Sequence, residues 1–253
     1  MGKFVMNHEY NNHVLIVVAT YDEIDNIQLM VNMLLKLVPN SDVLVVDDNS
    51  PDGTGYWAVK KSLGNSRVKT IIRKNERGLG SAVICALFYA LENDYQFVIN
   101  MDADFSHSIE YVTEILMKLE QENTVDVVIG SRYVRGGGTL GWSLKRRVVS
   151  VCINLFTRFV LGLKTHDNSG AFRGYRVSTL RNLDFDKFIS KGYSFFEEVL
   201  YCLKVSGASF TELPIIFVDR KRGISKINGK EAIKSIAIIF FLGLLRPFKK
   251  KVF

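Results

Sequence analysis

The stretch FVINMDADFSH, residues 97–107, joins a short apolar run to two aspartates placed one residue apart. An apolar run of this length predicts a buried β-strand that ends near Met101. Side chains alternate between the two faces of a strand, so Asp102 and Asp104 are expected to point the same way. Two converging carboxylates suit a hard divalent cation such as Mg²⁺ or Mn²⁺. The pattern alone is equally consistent with an Asp-rich turn that caps the helix starting near Ser108.

On both sides of this stretch, short β-branched apolar runs alternate with longer segments of helical periodicity. The predicted strands are 14–20, 43–47, 68–73, 97–101 and 125–130, and the predicted helices are 23–38, 54–63, 79–92 and 109–122. This alternation predicts βαβ units and an α/β fold: a doubly wound, mainly parallel, Rossmann-like sheet with helices on both faces. In such sheets, ligands bind beyond the carboxyl ends of the strands.

Charged and polar residues follow most of these predicted strands. The first strand ends in ATYDE (19–23), the second in DDNSPDGT (47–54), the fourth in Asp102 and Asp104, and the fifth in GSR (130–132). Turn chemistry explains the Asn, Ser, Pro and Gly of the second loop. It does not explain charged clusters at several strand ends on one edge of a sheet. A site that pairs carboxylates for a cation with an arginine for phosphate requires this mixture.

The composition limits the classes of partner. With 253 residues, the chain forms one large α/β domain or two small ones, and its net charge of +7 favours anionic partners. Nucleic acid, phosphorylated ligands and an acidic membrane surface all meet that condition. We do not expect a nucleic-acid partner, because the chain has no aromatic-rich binding strand and no DNA-reading helix pattern.

The C-terminal half contains two apolar segments with basic residues. Segment 142–161 interleaves Lys and Arg with Leu, Val and Phe, which suits an amphipathic helix on a membrane as well as an ordinary surface helix with a core face. Segment 236–245, IAIIFFLGLL, is flanked by Lys234 and by four basic residues within 246–251. It is shorter than the roughly 20 residues that span a bilayer. We expect it to lie in the membrane interface or dock on a membrane partner, with a buried terminal helix as the alternative.

Taken together, these motifs resemble the dolichyl-phosphate (polyprenyl-phosphate) mannosyltransferases of glycosyltransferase family 2, which have the GT-A fold. The matching strings run in order along almost the whole chain: ATYDE, VVDDNSPDGTG, GLGSA, MDADFSH, GSRY, GWSLKRRVVS, DNSGAFRGYR, KGYSFFEE and FVDRKRGISK. Each string is weakly specific, but their joint order and spacing are highly specific. The downstream strings indicate a polyprenyl phosphate acceptor.

The resemblance implies a role for each matched position. The residues assigned to the guanosine part of GDP-mannose are Ala19, Tyr21, Glu23, Val46 and Asp48. Those assigned to the metal and the sugar diphosphate are Asp102, Ala103 and Asp104, and those assigned to phosphates of donor, acceptor or both are Arg132, Arg220 and Lys226. The candidates for the acceptor phosphate or the sugar are Arg147, Ser150 and Glu198. Asp102, Asp104 and Arg132 are the expected catalytic residues.

The chain departs from the family pattern at the metal site. Ser106 stands where many members have Gln, which puts a third protein ligand to the metal in question. A serine hydroxyl ligates a cation weakly or orients a bound water.

The implied reaction moves mannose from GDP-mannose to dolichyl or polyprenyl phosphate with inversion and with Mg²⁺ or Mn²⁺ as cofactor. The acceptor phosphate is largely ionised near neutral pH, since its second pKa is about 6, so no strong general base is needed. Two alternatives remain open: a UDP-sugar donor carrying glucose or N-acetylglucosamine, and a nonenzymatic nucleotide-sugar-binding subunit of a membrane complex.

The resemblance also implies a domain division and a location. We expect a tail over 1–12, a GT-A domain over 13–230 and a membrane-interface helix over 231–253. The protein is expected to be peripheral on the cytoplasmic side of a membrane, with the membrane surface and small membrane-protein subunits as partners.

Overall fold

The computed structural model of the chain describes residues 13–190, 192–220 and 229–245. Its first half repeats strand–helix units. The strands are β1 (Val14–Thr20), β2 (Ser41–Asp47), β3 (Val68–Ile72), β4 (Phe97–Asp102) and β5 (Val127–Ser131), and the helices are α1 (Ile24–Leu37), α2 (Thr54–Gly64), α3 (Leu79–Glu92) and α4 (Glu110–Gln121). Each begins and ends within two residues of its predicted position, which confirms the reading from hydrophobic periodicity.

The second half is less regular. It contains β6 (Gly138–Leu140), α5 (Leu144–Leu161), β7 (Arg173–Arg176), α6 (Val177–Leu180), α7 (Phe195–Val205), β8 (Phe210–Pro214), β9 (Ile216–Val218) and α8 (Gly229–Leu245). The two apolar segments of the sequence form α5 and the C-terminal part of α8. Within the described residues, no helix combines the length and the apolar character needed to cross a membrane.

Seven strands form one sheet in the order β3-β2-β1-β4-β7-β5-β8. All neighbours pair in parallel except β7, which runs antiparallel to both β4 and β5. The mainly parallel sheet is therefore confirmed. Ala19 of β1 pairs with Asp102 of β4, so the carboxyl ends of these adjacent strands meet at one edge. Strands β6 and β9 form a separate two-stranded parallel sheet.

Alternate residues of the buried strands pack into two cores, one on each face of the sheet. On one face, Leu15 and Val17 belong to a buried cluster that also contains residues of α3, α7 and α8. On the other face, Ile16 and Val18 belong to a second cluster that also contains residues of α1 and α4. Each fully buried aliphatic side chain stabilises the fold by about 1.5–3 kcal/mol. The expectation of helices on both faces is confirmed.

The turn after β4 differs from the predicted geometry. The strand ends at Asp102, and Ala103 and Asp104 lie in a turn. Phe105 then adopts a φ of 58°, a left-handed conformation that is rare for a bulky residue. The prediction that strand alternation aligns the two aspartates is wrong, because a tight turn positions Asp104. The capping alternative is also wrong, since α4 has Ile109 at its N-cap and no side-chain cap.

Candidate active site

A cleft of about 1050 Å³ opens beyond the carboxyl ends of β1, β2 and β4. The side of α5 and the N-terminal part of α8 form its opposite wall. Many residues expected at a functional site line this cleft: Ala19, Tyr21, Glu23, Asp48, Asp102, Ala103, Asp104, Arg132, Ser150 and Arg220. Strand ends far apart in the sequence thus converge where the sheet topology places a ligand site. Lys226 lies outside the described residues, so its role stays a prediction.

The two aspartates of the MDADFSH string both line the cleft. Oδ2 of Asp104 lies 3.2 Å from Nη2 of Arg220. Burial and the neighbouring Asp104 carboxylate raise the pKa of Asp102 to about 7, against the opposing effect of Arg220 and Arg132. Two carboxylates that repel each other in this way provide a donor set that a divalent cation would stabilise.

The two carboxylates could supply part of a metal shell. The described residues contain no group of three or more His, Cys, Asp or Glu side chains that could hold a metal ion. A pair such as Asp102 and Asp104 fits a cation such as Mg²⁺, which commonly binds one or two carboxylates and completes its shell with phosphate oxygens and water.

Ser106 lies buried behind the turn that carries Asp104. It is 1% exposed, its backbone N–H donates to Oδ1 of Asp104, and it is not among the residues that line the cleft. Its carbonyl accepts from the N–H of Val218. Its Oγ is buried and makes no hydrogen bond to a described residue, so Ser106 supports the Asp104 turn through its backbone, and its role as a weak metal ligand stays a prediction.

His107 lines the cleft and was not assigned a role from the sequence, although it lies in the same string. Its Nδ1 is 3.8 Å from Oδ2 of Asp102. The ring stacks on Phe172 at 4.9 Å and meets Phe217 edge-on at 5.2 Å between centroids. Burial lowers the pKa of His107 to about 4, so the ring is neutral near pH 7.

Asp48 organises the loop between β3 and α3. Its carboxylate accepts from Nε of Arg73 at 2.7 Å and from the backbone N–H of Gly78 at 2.9 Å. At the same end of the cleft, the guanidinium of Arg77 lies 4.8 Å from the ring centre of Tyr21. This end presents stacking and carboxylate groups, the chemistry that binds a nucleoside.

Val46 does not contribute a side chain to that pocket. It is 0% exposed and belongs to the core that β1 and β2 form with α3. The alternation along β2 directs its side chain into this core, so only the backbone of Val46 is left to contact guanosine, and its assignment to that site stays a prediction.

Arg132 is fixed by a buried partner that the sequence analysis did not identify. Its Nε and Nη2 donate to the two carboxylate oxygens of Asp167, each at 2.7 Å, and Nη2 also donates to Ser169 at 3.0 Å. Burial would lower the pKa of Arg132, but the Asp167 carboxylate outweighs that effect and raises it. The arginine is therefore a permanent, oriented cation at the cleft wall. The only sequence signal was the presence of Asp167 in the DNSGAFRGYR string.

The arginine of α5 that reaches the cleft is Arg146, and not the predicted Arg147. Arg146 lines the cleft, and its Nη1 binds both carboxylate oxygens of Asp219 at 2.9 and 3.0 Å. Arg147 is exposed, and its Nη2 donates to the carbonyl of Thr139. The predicted Ser150 does line the cleft, where it accepts a 2.6 Å hydrogen bond from the hydroxyl of Tyr133.

The glutamate of α7 that lines the cleft is Glu197, and not the predicted Glu198. The Glu198 carboxylate accepts from the backbone N–H groups of Ile189 and Ser190, so it stabilises a loop. Glu197 lines the cleft, is 4% exposed, and has a buried Oε2 that accepts no hydrogen bond from the described residues. Burial raises the pKa of Glu197 to about 7.

We expect Glu197→Gln to stabilise the protein at alkaline pH. A carboxyl whose pKa rises from 4.5 to about 7 on folding favours the folded state only while it is protonated. The unfolded chain loses this proton above about pH 4.5 and the folded protein only near pH 7, so stability falls by up to about 3 kcal/mol between these values and stays lower above them. The difference in melting temperature between variant and wild type should be small at pH 4.5, grow up to about pH 7 and stay constant above it. A difference that does not change with pH would contradict the raised pKa.

Comparisons with known proteins identify the family of this chain. Residues 15–184 match the family model for glycosyl transferase family 2. The undecaprenyl-phosphate mannosyltransferase of Micrococcus luteus is 41% identical over 216 residues, which are 85% of this chain and 88% of the relative. The polyprenol monophosphomannose synthase of Mycolicibacterium smegmatis is 36% identical over 227 residues, 88% of this chain and 85% of the relative.

Solved structures show the same fold. Glucosyl-3-phosphoglycerate synthase from Mycobacterium tuberculosis, in complex with Mn²⁺, UDP and glucosyl-3-phosphoglycerate, superposes with a TM-score of 0.62 at 16% identity, covering 93% of this chain and 79% of that one. The expected GT-A fold is therefore confirmed. By its family match and its relatives, this chain is an enzyme that belongs to glycosyl transferase family 2.

Proposed function

We propose that this protein transfers mannose from GDP-mannose to the phosphate of dolichyl or other polyprenyl phosphate, with inversion and with bound Mg²⁺ or Mn²⁺. The observation that carries the proposal is one cleft in which a carboxylate pair, Asp102 and Asp104, faces three arginines, Arg132, Arg146 and Arg220. The names of the two relatives, at 41% and 36% identity, support mannose as the sugar and a polyprenyl phosphate as the acceptor.

The donor would lie along the carboxyl ends of β1, β2 and β4. Tyr21 and Asp48 would contact the nucleoside at one end, and Asp102 and Asp104 would hold the cation beside the diphosphate. The bound cation would neutralise the negative charge of the departing GDP. Arg220 reaches this diphosphate side of the cleft, since it pairs with Asp104 at 3.2 Å.

The acceptor phosphate would enter from the side of α5. Arg146 and Ser150 lie on the inner side of this helix, and Arg132 lies on the adjoining wall. The phosphate oxygen attacks the anomeric carbon without a protein base, because it is already ionised. Catalysis then rests on the alignment of the two substrates and on fixed positive charge. Glu197, the acidic residue that faces the cleft, would contact a sugar hydroxyl in the role predicted for Glu198.

A lipid acceptor also requires contact with a bilayer, and the outer sides of α5 and α8 supply a suitable surface. We define the apolar platform as the exposed side chains Leu144, Val148, Leu155 and Phe159 of α5 and Phe240, Phe241 and Leu244 of α8. The two helices pack together where Gly243 contacts Val160. Lys145 and Arg147 are exposed on the same helix as part of this platform. Apolar groups beside lysine and arginine are the chemistry of an interfacial helix.

The double variant Phe159→Ser/Phe240→Ser is expected to lower the affinity for anionic phospholipid vesicles at least ~10-fold, because two exposed phenyl rings lose their burial in the interface. Phe159 is 85% exposed and Phe240 55% exposed, so the fold should tolerate both changes. Leu63→Ser on α2 is the matched control, since Leu63 is also 85% exposed but lies outside the platform. Vesicle sedimentation measures the effect; equal losses in both variants would contradict the platform.

A donor and acceptor panel tests the reaction itself. Purified protein would be incubated with Mg²⁺ or Mn²⁺, one polyprenyl phosphate, and radiolabelled GDP-mannose, UDP-glucose or UDP-N-acetylglucosamine in turn. We expect an organic-extractable, mannose-labelled lipid from GDP-mannose only. Transfer from a UDP-sugar would show that GDP-mannose is the wrong donor. Absence of transfer from every donor would favour the nonenzymatic subunit.

A further inference from the structure

Trp142 lies close to two arginines of the cleft, one of which, Arg132, also lies 5.2 Å from the ring centre of Tyr133. The guanidinium carbon of Arg146 lies 4.1 Å from the centre of its ring, and that of Arg132 lies 5.4 Å from it. Phe217 meets the same indole edge-on at 5.3 Å between centroids. Both arginines are thus within the distance at which a cation is attracted to an aromatic ring.

The chain before Trp142 is shaped to place it there. Gly141 has a φ of 83°, and a Cβ on it would lie 3.0 Å from Cβ of Asp219. The backbone N–H of Asp219 donates to the carbonyl of Leu140. The close approach at Gly141 brings Asp219 to the arginine that stacks on Trp142. A left-handed conformation and a tight contact together favour glycine at this position.

Each arginine therefore makes an ion pair with an aspartate and a cation–aromatic contact with Trp142. Asp167 fixes Arg132 through paired hydrogen bonds, and Asp219 does the same for Arg146 through one nitrogen. The indole is the contact that the two arginines share. Two guanidinium groups that approach the same ring repel each other, and the aromatic face offsets part of that repulsion.

We propose that Trp142 is a positioning residue for the acceptor phosphate, because its indole ring holds the Arg132 and Arg146 guanidinium groups at one wall of the cleft, where they bind that phosphate together. The inference rests on the proposed function for the identity of the acceptor. It assigns Trp142 to the acceptor phosphate and not to the donor nucleotide, because the proposed donor position lies beside the carboxylate pair and Tyr21.

Two substitutions at Trp142 distinguish the effect of its aromatic face from the effect of its apolar bulk. Trp142→Leu is expected to raise the acceptor KM roughly ten-fold, as measured with farnesyl phosphate, and to leave the KM for GDP-mannose nearly unchanged. Trp142→Phe keeps an aromatic face and should restore most of the acceptor affinity. It loses no hydrogen bond, because the indole N–H donates to no described residue. Trp57→Leu is the matched control, since Trp57 lies on α2, packs against the core that contains α1 and α4, and does not line the cleft.

A fluorescence titration measures binding without turnover. The chain has two tryptophans, so Trp57→Phe leaves Trp142 as its only one. Farnesyl phosphate should shift or quench its emission saturably, both with and without GDP, whereas farnesol should not. Thermal melting of each variant would check that it is folded.

The outcomes distinguish this inference from the proposed function. Equal loss of acceptor affinity in Trp142→Phe and Trp142→Leu, an unchanged acceptor KM in Trp142→Leu, or no phosphate-dependent emission change would each overturn the role of Trp142 even if mannose is transferred. Failure of transfer with a saturable, phosphate-dependent emission change would overturn the proposed reaction and leave the phosphate site standing.

Discussion

Asp104→Asn should lower kcat at least ~10²-fold at saturating metal, the size of losing one preorganised charge contact at a reacting centre. Asp104 is 8% exposed and is held by the N–H of Ser106, so the carboxylate is oriented before any substrate binds. Asparagine preserves the shape and the turn but removes the charge that a cation needs. It also removes the ion pair with Arg220, which lies 3.2 Å away.

The result is informative only if the variant remains folded and the metal can be followed separately. Circular dichroism would check the fold, and titration with Mn²⁺ in the presence of GDP should show weaker metal binding. Asp126→Asn is a suitable control, because that carboxylate also accepts several hydrogen bonds, from Ser209 and Thr179, but lies outside the cleft. We expect this control to lose stability and keep kcat. Near wild-type turnover in Asp104→Asn would remove the residue from the reaction.

The parts of this structure that the sequence predicts well depend on local periodicity. Strands such as Val14–Thr20 and helices such as Leu79–Glu92 begin and end at the predicted residues. The reason is that the hydrophobic pattern of a buried strand or an amphipathic helix lies entirely within its own segment. The shared edge of the sheet follows from the βαβ order. Convergence of Tyr21, Asp48 and Asp104 on one cleft could therefore be anticipated.

The wrong site predictions arise where two neighbouring residues of a helix differ in which one faces the cleft. Arg146 and Arg147 are neighbours in one helix, as are Glu197 and Glu198 in another, and consecutive helical residues point about 100° apart. Family motifs identify such a segment but do not give the rotation of the helix about its axis. That rotation is set by packing against other elements.

Other features depend on contacts between distant segments. Asp167 binds an arginine 35 positions earlier in the chain, and no local pattern reports such a pair. The inward direction of Ser106 follows from the left-handed backbone at Phe105, which local propensity does not favour. Site residues on regular strand ends are thus more predictable than their supporting residues.

Asp167→Asn is expected to destabilise the folded protein by about 3–5 kcal/mol, because it leaves the buried Arg132 guanidinium without its counter-charge. Asp167 is 0% exposed and also accepts from the backbone N–H groups of Arg132 and Gly170. Burial would raise the pKa of Asp167, but Arg132 outweighs it and lowers the pKa. The stabilisation is thus fully present above the unfolded pKa of about 3.9 and lost only as pH falls through the lowered folded value.

Urea denaturation at pH 7 measures this loss, with Asp94→Asn as the control. Asp94 pairs with Arg181 at the surface, where 90% of its side chain is exposed, so its removal should leave the unfolding midpoint unchanged. The double variant Arg132→Met/Asp167→Asn removes the unpaired charge and should regain part of the lost stability. Its activity should nevertheless stay low, because the cleft would lack the Arg132 cation. Recovery of both stability and turnover would show that the Arg132–Asp167 pair serves only the fold. Recovery of stability alone would show that Asp167 keeps a catalytic arginine buried, charged and directed toward the cleft.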